Sequence, residues 1–173
     1  MATTSSLVWR PMLPTDVKNV HRLADKIHTE LPESELVFRE RLDLFPEGCF
    51  VLSDQTTSDA SIHGYIVAHP IRHNRPPALD SLIGEIPDDA SQFYIHDVVV
   101  SPDLRGQGYA SKGIEKVLAV AERIGYPTTC LIAVYNMTEF WKSFGFLPEP
   151  VEGELREKLL LYGDVAEFCV RAR

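Results

Sequence analysis

The stretch Asp97-Val-Val-Val-Ser-Pro-Asp-Leu-Arg-Gly-Gln-Gly-Tyr-Ala-Ser111 decides the fold. Its first residues close an apolar, β-branched run, Phe93–Val100, that reads as a buried strand and is stopped by Ser101-Pro102. Helical spacing follows at once, because Ala110, Ile114, Val117, Leu118, Ala121 and Ile124 recur by three and four between Gly108 and Gly125. A strand that passes through Arg105-Gly106-Gln107-Gly108-Tyr109-Ala110 into a helix is suited to phosphate. Glycine lets the backbone approach a ligand, the helix N-terminus offers unpaired N–H groups and partial positive charge, and Arg105 adds a charge-assisted contact. The alternative is a glycine turn that only joins two elements. A P-loop is excluded, since no GxxxxGK[ST] run surrounds Lys112. A dinucleotide fingerprint also fails: Ser111 stands at the third glycine position, and the next strand ends Val134-Tyr135-Asn136 without an acid.

Working outward, Leu7–Arg10 reads as a short strand. Thr15 or Asp16 caps a helix with Val17, Val20, Ala24, Ile27 and Leu31 on one face. Ser34 opens a second helix with Phe38, Leu42 and Phe45, stopped at Pro46. Cys49–Leu52 and Ile62–His69 form a hairpin around a polar turn at 54–61. Residues 70–91, with Pro70, Pro76, Pro77 and Pro87, form a long connection of the kind that is functional or disordered. Thr128–Val134 is β-rich, Asn136–Phe144 a short helix, 154–161 helix or strand, and Asp164–Arg171 a last strand. The order β-α-α-β-β-β-α-β-α-β predicts an α/β (α+β) fold with a mixed sheet.

The 173 residues predict one domain spanning 1–173. Net charge is −8, from 25 acids against 17 bases, which argues against a nucleic-acid partner and favours a cationic small molecule. No apolar run approaches membrane length, and Met1–Ser6 shows no secretory pattern. Cys49, Cys130 and Cys169 are widely spaced, without CxxC, so neither a metal site nor a disulfide framework is expected and a cytoplasmic location fits.

Val98-Val-Val-Ser-Pro-Asp-Leu-Arg-Gly-Gln-Gly-Tyr-Ala110 resembles motif A of the GNAT superfamily of N-acetyltransferases, written around R-G-x-G-x-A/G. Phe140-Trp-Lys-Ser-Phe-Gly-Phe146 is similar to the family's aromatic-x-x-x-Gly-Phe helix end, and the elements arrive in the family order over about residues 7–171. The resemblance implies a GNAT-like acyl-CoA N-acyltransferase fold, a central mixed sheet flanked by helices and splayed at the cofactor strand. Acetyl-CoA is then the co-substrate, with no metal. Pantetheine would pair with the main chain of Val98, Val99 and Val100. Pyrophosphate would sit on Arg105, Gly106, Gln107, Gly108, Tyr109, Ala110 and Ser111, with Asn136 and Trp141 also against the cofactor. Lys112, Lys116 and Lys142 are either charge partners of the cofactor or solvated helix residues.

Acetyl transfer to an amine needs a base, because an amine of pKa ~10 is protonated at neutral pH. The oxyanion needs an N–H donor, and the departing thiolate accepts a proton. His96 is the candidate base. The arylalkylamine N-acetyltransferases carry a histidine pair here, and His96 matches its second member while Tyr94 replaces the first. Leu42-Asp-Leu-Phe-Pro-Glu-Gly-Cys-Phe50 is also loosely similar to that group. A buried sheet histidine is the alternative for His96. Asp97 is the rival base, with a salt-bridged carboxylate as its alternative. Strand alternation puts Tyr94, His96 and Val98 on one face and Ile95, Asp97 and Val99 on the other, so His96 and Asp97 reach one cleft only across a bulge.

Trp141 stands where many relatives have a tyrosine close to the cofactor sulfur, and an indole N–H is no proton source. Either the thiolate leaves without this acid or another group such as Tyr135 replaces it; a plain core aromatic is the alternative for Trp141. Asn136 either contacts pantetheine or caps the following helix. Asp80, Glu85, Asp88 and Asp89 are candidates to receive a cationic amine. Phe45, Phe50, Phe93 and Tyr94 would frame an aromatic acceptor, with core packing as their alternative. The expected function is acetyl-CoA-dependent N-acetylation of a small primary amine, first an arylalkylamine, by a monomer or homodimer without nucleic-acid or membrane partners. The alternatives are polyamine, amino-acid-derived, toxic or protein amines, a non-catalytic acyl-CoA-binding module, and more distantly a dinucleotide oxidoreductase.

Overall fold

The computed structural model describes residues 7–56 and 61–173; residues 57–60 of the hairpin turn and Met1–Ser6 lie outside them. Seven strands form one mixed sheet in the order β1-β2-β3-β4-β5-β7-β6. They are β1 (Leu7–Pro11), β2 (Phe50–Asp54), β3 (Ile62–Ile71), β4 (Gln92–Val100), β5 (Thr128–Ala133), β6 (Leu147–Pro148) and β7 (Glu167–Ala172). Among the described residues only β4 and β5 pair in parallel; every other neighbour is antiparallel.

The helices α1 (Val17–Ile27) and α2 (Glu35–Leu44) cover one face of β2–β4, and α3 (Tyr109–Ile124) covers the other. Val17, Val20, Leu23, Ala24, Phe38 and Leu42 bury against Val51, Tyr65, Val67 and Val99 on the first face. On the second face, Ile114, Val117, Leu118 and Ala121 pack on Ile66, Ala68, Phe93, Ile95 and Leu131. Short α4 (Thr138–Lys142) leads into Gly145 and the buried Phe146, and α5 (Gly153–Leu160) lies between β6 and β7.

Several expectations are corrected. The first helix ends at Ile27 and does not reach Leu31, and the second ends at Leu44, with Phe45 already outside helical geometry. Residues 154–161 are mainly helix, and β6 adds a two-residue edge strand that its sequence does not announce. Asn136 does not cap α4; the N-cap is Met137, without a side-chain bond. Cys130 and Cys169 are buried in strands, as expected for small hydrophobes, while Cys49 is buried just before β2.

Strand alternation breaks at one residue. Val67 pairs with Asp97 but Ala68 with Ile95, so His96 is an extra residue, a β-bulge. Ile95 and Val98 therefore face the α3 side, whereas Asp97 and Val99 face the α1–α2 side. The expected grouping of Ile95 with Asp97 is overturned, because a bulge reverses the pleat beyond it.

The long connection between β3 and β4 is fastened at many points. Arg72 pairs with Asp89, and Glu40 of α2 accepts from the Ile83 and Gly84 amides. Buried Arg41 donates to the Ser81 carbonyl. Tyr162 and Lys158 donate to the Pro77 and Pro76 carbonyls, each at 3.1 Å.

Candidate active site

β4 and β5 pair only from Phe93–Ile95 to Thr129–Leu131. Beyond that the strands diverge, leaving the β5-facing edge of Val98–Val100 without a strand partner and opening a cleft of about 900 Å³. Val98, Val99, Val100, Arg105, Gly106, Gly108, Tyr109, Ala110, Ser111 and Trp141 all line it. Gln107 lies in the same turn but its side chain bends back to the Asp103 carbonyl at 3.3 Å.

The turn has the geometry of a phosphate cradle. Gly106 and Gly108 sit at φ +76° and +82°, a region that disfavours L side chains, and a Cβ on either would meet no protein atom within 4 Å. The first bond of α3 runs from the Lys112 amide to the Gly108 carbonyl at 3.2 Å. The amides of Tyr109, Ala110 and Ser111 before it therefore have no partner inside the helix, and all three residues line the cleft. Trp9 donates from its indole nitrogen to the Tyr109 carbonyl at 2.8 Å, tying β1 to this turn. An unpaired strand edge and a glycine-turned helix start fit an extended ligand ending in a pyrophosphate, as in a CoA thioester. Lys112 and Lys116 lie over the Tyr109 and Phe50 rings, and Lys142 pairs with Glu139; none lines the cleft.

At the other end of the cleft stands a row of polar groups. Tyr65 donates to Asp97 Oδ2 at 2.5 Å, and His28 Nε2 lies 2.9 Å from the same oxygen. His28 Nδ1 faces the Tyr135 hydroxyl at 3.1 Å, and the two rings stack at 5.7 Å. Burial works against an imidazolium at His28, but the Asp97 carboxylate outweighs it and raises the pKa above the ordinary histidine value. Burial first, then the charges of Asp97 and Glu30, raise that of Tyr135, so its hydroxyl keeps its proton at neutral pH. Tyr135 and Asn136 both adopt positive φ, +53° and +59°, which turns the Tyr135 side chain into the cleft and leaves Asn136 exposed outside it.

His96 is placed differently from Asp97. Its Nε2 is bonded to Glu33 Oε1 at 2.6 Å, its side chain is 2% exposed, and Nδ1 is buried without a hydrogen-bond partner. Burial alone would raise the pKa of Glu33, but His96 holds it down at about 2. The bulge thus brings His96 and Asp97 to the same cleft, each with a partner from the α1–α2 connection.

The residues expected around an acceptor are mostly elsewhere. Phe45, Phe50 and Phe93 belong to the core under α3, and Phe45 and Phe93 contact each other edge-on. Tyr94 is fully buried between His69 and His96. Asp80 does not face the cleft; it accepts from the Ser34 amide at 2.7 Å. The end of the cleft beside His28 and Glu33 is instead lined by Ile27, Leu31, Leu79 and Tyr162. The segment Ile27-His28-Thr29-Glu30-Leu31-Pro32-Glu33, a histidine and acids just past an amphipathic helix, is the sequence signal that marks this wall. Among the described residues, no group of three or more His, Cys, Asp or Glu is placed to hold a metal ion, and no helix is long and apolar enough to cross a membrane.

The sequence profile described as the Acetyltransferase (GNAT) family matches residues 17–146. No curated protein matches the sequence significantly. Among solved structures, the chain is similar to the NatC complex bound to Gag peptide and CoA, with 19% identity, TM-score 0.73, and 97% of this chain and 99% of that one covered. It is similar to Ard1 from Thermoplasma volcanium at 17% identity and TM-score 0.72, covering 96% and 97%. It also resembles the loading GNATL domain of CurA from Lyngbya majuscula at 16% identity and TM-score 0.77, again covering 96% and 97%. At such identities the likeness is one of fold.

Proposed function

Because the chain belongs to the acetyltransferase (GNAT) family, we propose that it transfers an acetyl group from acetyl-CoA to a small apolar primary amine, an arylalkylamine first. The observation that carries this reading is the row Tyr65–Asp97–His28–Tyr135, set in the cleft beside the unpaired edge of β4. The thioester lies along Val98–Val100 with its phosphates on the Arg105–Ser111 turn. The acceptor enters between Ile27, Leu31, Leu79 and Tyr162. Support for an apolar acceptor comes from those four side chains and from the carboxylates nearby. Glu33 and Asp97 are already bonded to histidines, so neither is left over to bind the several ammonium groups of a polyamine.

His28 is the base. Asp97 accepts its Nε2 proton, which leaves Nδ1 to take a proton from the acceptor ammonium. The neutral nitrogen forms a bond to the acetyl carbonyl carbon, and the carbon–sulfur bond breaks. The Tyr135 hydroxyl gives its proton to the departing thiolate and recovers the first ammonium proton from His28. His28 then takes the second proton from the acylated nitrogen and releases it to solvent, so of the two protons the ammonium loses one ends on sulfur and one in water. Tyr135 thus takes the acid's role at a site where Trp141 cannot. His96, bonded to Glu33 and shut away from solvent, is not the base.

Thiol release from acetyl-CoA tests the reading, with tryptamine, phenylethylamine, spermidine, glutamate and a short peptide as acceptors. Turnover confined to the aromatic amines is expected. Turnover confined to the peptide overturns the acceptor class, and acetyl-CoA binding without turnover on any amine points to a non-catalytic module.

A further inference from the structure

Glu33 has no step in the transfer chemistry, yet its carboxylate is fully engaged. Oε1 accepts from His96 Nε2 at 2.6 Å, and Oε2 accepts from the Asp80 amide at 3.0 Å. Asp80 returns the contact, its own carboxylate accepting from the Ser34 amide at 2.7 Å. The result is a reciprocal clasp between residues 33–34 and residue 80. Asp80 is held at φ +53°, a strained conformation for a non-glycine residue that the clasp stabilises. Three segments meet here: the α1–α2 connection that carries His28, the loop that carries Leu79, and the bulge residue next to Asp97.

We propose that Glu33 is a positioning residue for acetyl transfer: by clasping the loop around Asp80 and the β4 bulge to residues 28–34, it holds His28 against Asp97 and Leu79 against the acceptor. The inference rests on the reading of His28 as the base. The connection has little main-chain bonding of its own, the Leu31 amide to the His28 carbonyl at 3.1 Å being its one internal turn contact among the described residues. Side-chain bonds therefore carry the wall: the Glu33 and Asp80 carboxylates tie it to β4 and the loop, His28 ties it to Asp97, and His21 Nε2 of α1 lies 3.0 Å from the Glu33 carbonyl. His28 is faced by Asp97 from β4, with Tyr65 from β3 behind it, by Tyr135 from the turn before α4, and by Glu33 from its own segment. Glu33 in turn faces His96, the Asp80 amide and the Arg41 guanidinium of α2. Glu33→Gln is the discriminating change, because both carboxylate oxygens accept N–H bonds and an amide keeps only one acceptor.

The experiment compares the full chain with E33Q and with Asp80→Gly, which removes the return contact while relieving the positive φ. In E33Q the amide of Asp80, and in both variants that of Ser34, should lose about tenfold in hydrogen-exchange protection, the weight of one charge-assisted bond. The His28 titration followed by NMR should move to lower pH in E33Q, since a facing negative charge is gone. With the best acceptor, KM should rise about tenfold, while acetyl-CoA affinity stays within twofold because the phosphate cradle is not touched. A double variant with His96→Gln should be no worse than E33Q alone if the carboxylate acts through His96. Unchanged amide protection with an unmoved His28 titration overturns the proposal; a fall in melting temperature without those changes does so too, by reducing Glu33 to a structural role. Exchange and titration need no acceptor. An enzyme that acetylates none of the amines, yet shows both changes, therefore refutes the proposed function and leaves the clasp standing.

Discussion

Replacing Asp97 by asparagine keeps the shape of the site and removes one charge and one acceptor. Asp97 accepts from both Tyr65 and His28, at 2.5 and 2.9 Å on the same oxygen. His28 Nε2 also lies 3.1 Å from the other oxygen, Oδ1, so the asparagine sets its N–H₂ group against His28 in one amide orientation and against Tyr65 in the other. Tyr65 is fully buried, so if its hydroxyl is the one left unpaired the fold loses about 1–3 kcal/mol, a fall of several degrees in melting temperature for a chain of this size. If His28 loses the bond instead, it rotates away from Tyr135 or takes the wrong tautomer, and a base of this kind contributes ~10²–10⁴-fold to rate. A drop in kcat/KM of about 100-fold or more is expected, with acetyl-CoA affinity unchanged.

The pH dependence separates this account from simple damage. Asp97 raises the His28 pKa, so the wild-type rate rises with pH along a limb above the ordinary histidine value of ~6.5. Without the charge, the limb in D97N moves to lower pH. Stability follows the same group. A pKa raised in the folded state stabilises fully below the unfolded value of ~6.5, and that stabilisation is lost as pH rises through the folded value. The stability gap between wild type and D97N should therefore be widest below pH ~6.5 and narrow above it. Thiol release across the pH range and urea unfolding at several pH values measure the two effects. A limb that stays where it is in D97N would falsify the assignment of His28.

Gly108→Val should fold, because its Cβ meets no protein atom within 4 Å and the positive φ costs about 1–2 kcal/mol, but calorimetry should show no acetyl-CoA binding. Retained affinity removes the phosphate cradle from the account. Gly113→Ala places a Cβ 2.7 Å from the Trp9 ring and 2.9 Å from Ile66, so overpacking should cost about 1–3 kcal/mol and, through the Trp9–Tyr109 bond, weaken cofactor binding; an unchanged melting temperature contradicts this. Glu33, held at about 2 against ~4.3 unfolded, stabilises the protein above the unfolded value by about 3 kcal/mol at most and loses that as pH falls toward 2. E33Q should therefore show a flatter decline in stability between pH ~4.5 and 2, and equal slopes for the two proteins would remove the pair from the acid response.

The strand–turn–helix around Arg105–Ala110 was legible because each of its signals is local: a β-branched run, a proline stop, two glycines and a 3.6-residue period. The core helices were legible for the same reason, although Leu31 and Phe45 extend the periodic pattern past the true helix ends, where the chain must turn. Gly153–Leu160 stayed ambiguous because none of its residues is buried, so no clear apolar stripe marks it. His28 and Glu33 were missed because they lie on a connection without periodicity, and their meaning comes from partners 69 and 63 residues away. The expectation for Asp80 failed on a similar point. Acidity marks a residue as exposed, but its bond to the Ser34 amide is a tertiary fact.

The bulge at His96 explains why these misses coincide. An even strand would keep Asp97 on the face of Ile95, among Ile114, Val117 and Leu131, where an unpaired carboxylate would be costly to bury. One extra residue turns Asp97 to the opposite face, where Tyr65 and His28 supply two donors, and leaves Ile95 and Val98 in the apolar layer. The same position lies just past the last β4–β5 pair, Ile95 with Leu131, so the change of face coincides with the opening of the cleft. The site thus joins two kinds of information. The motif specifies the half that meets the phosphates, since backbone amides and glycines suffice there. The half proposed to move protons needs side chains from the α1–α2 connection, β3, β4 and the turn before α4, and only the register of the folded sheet brings them together.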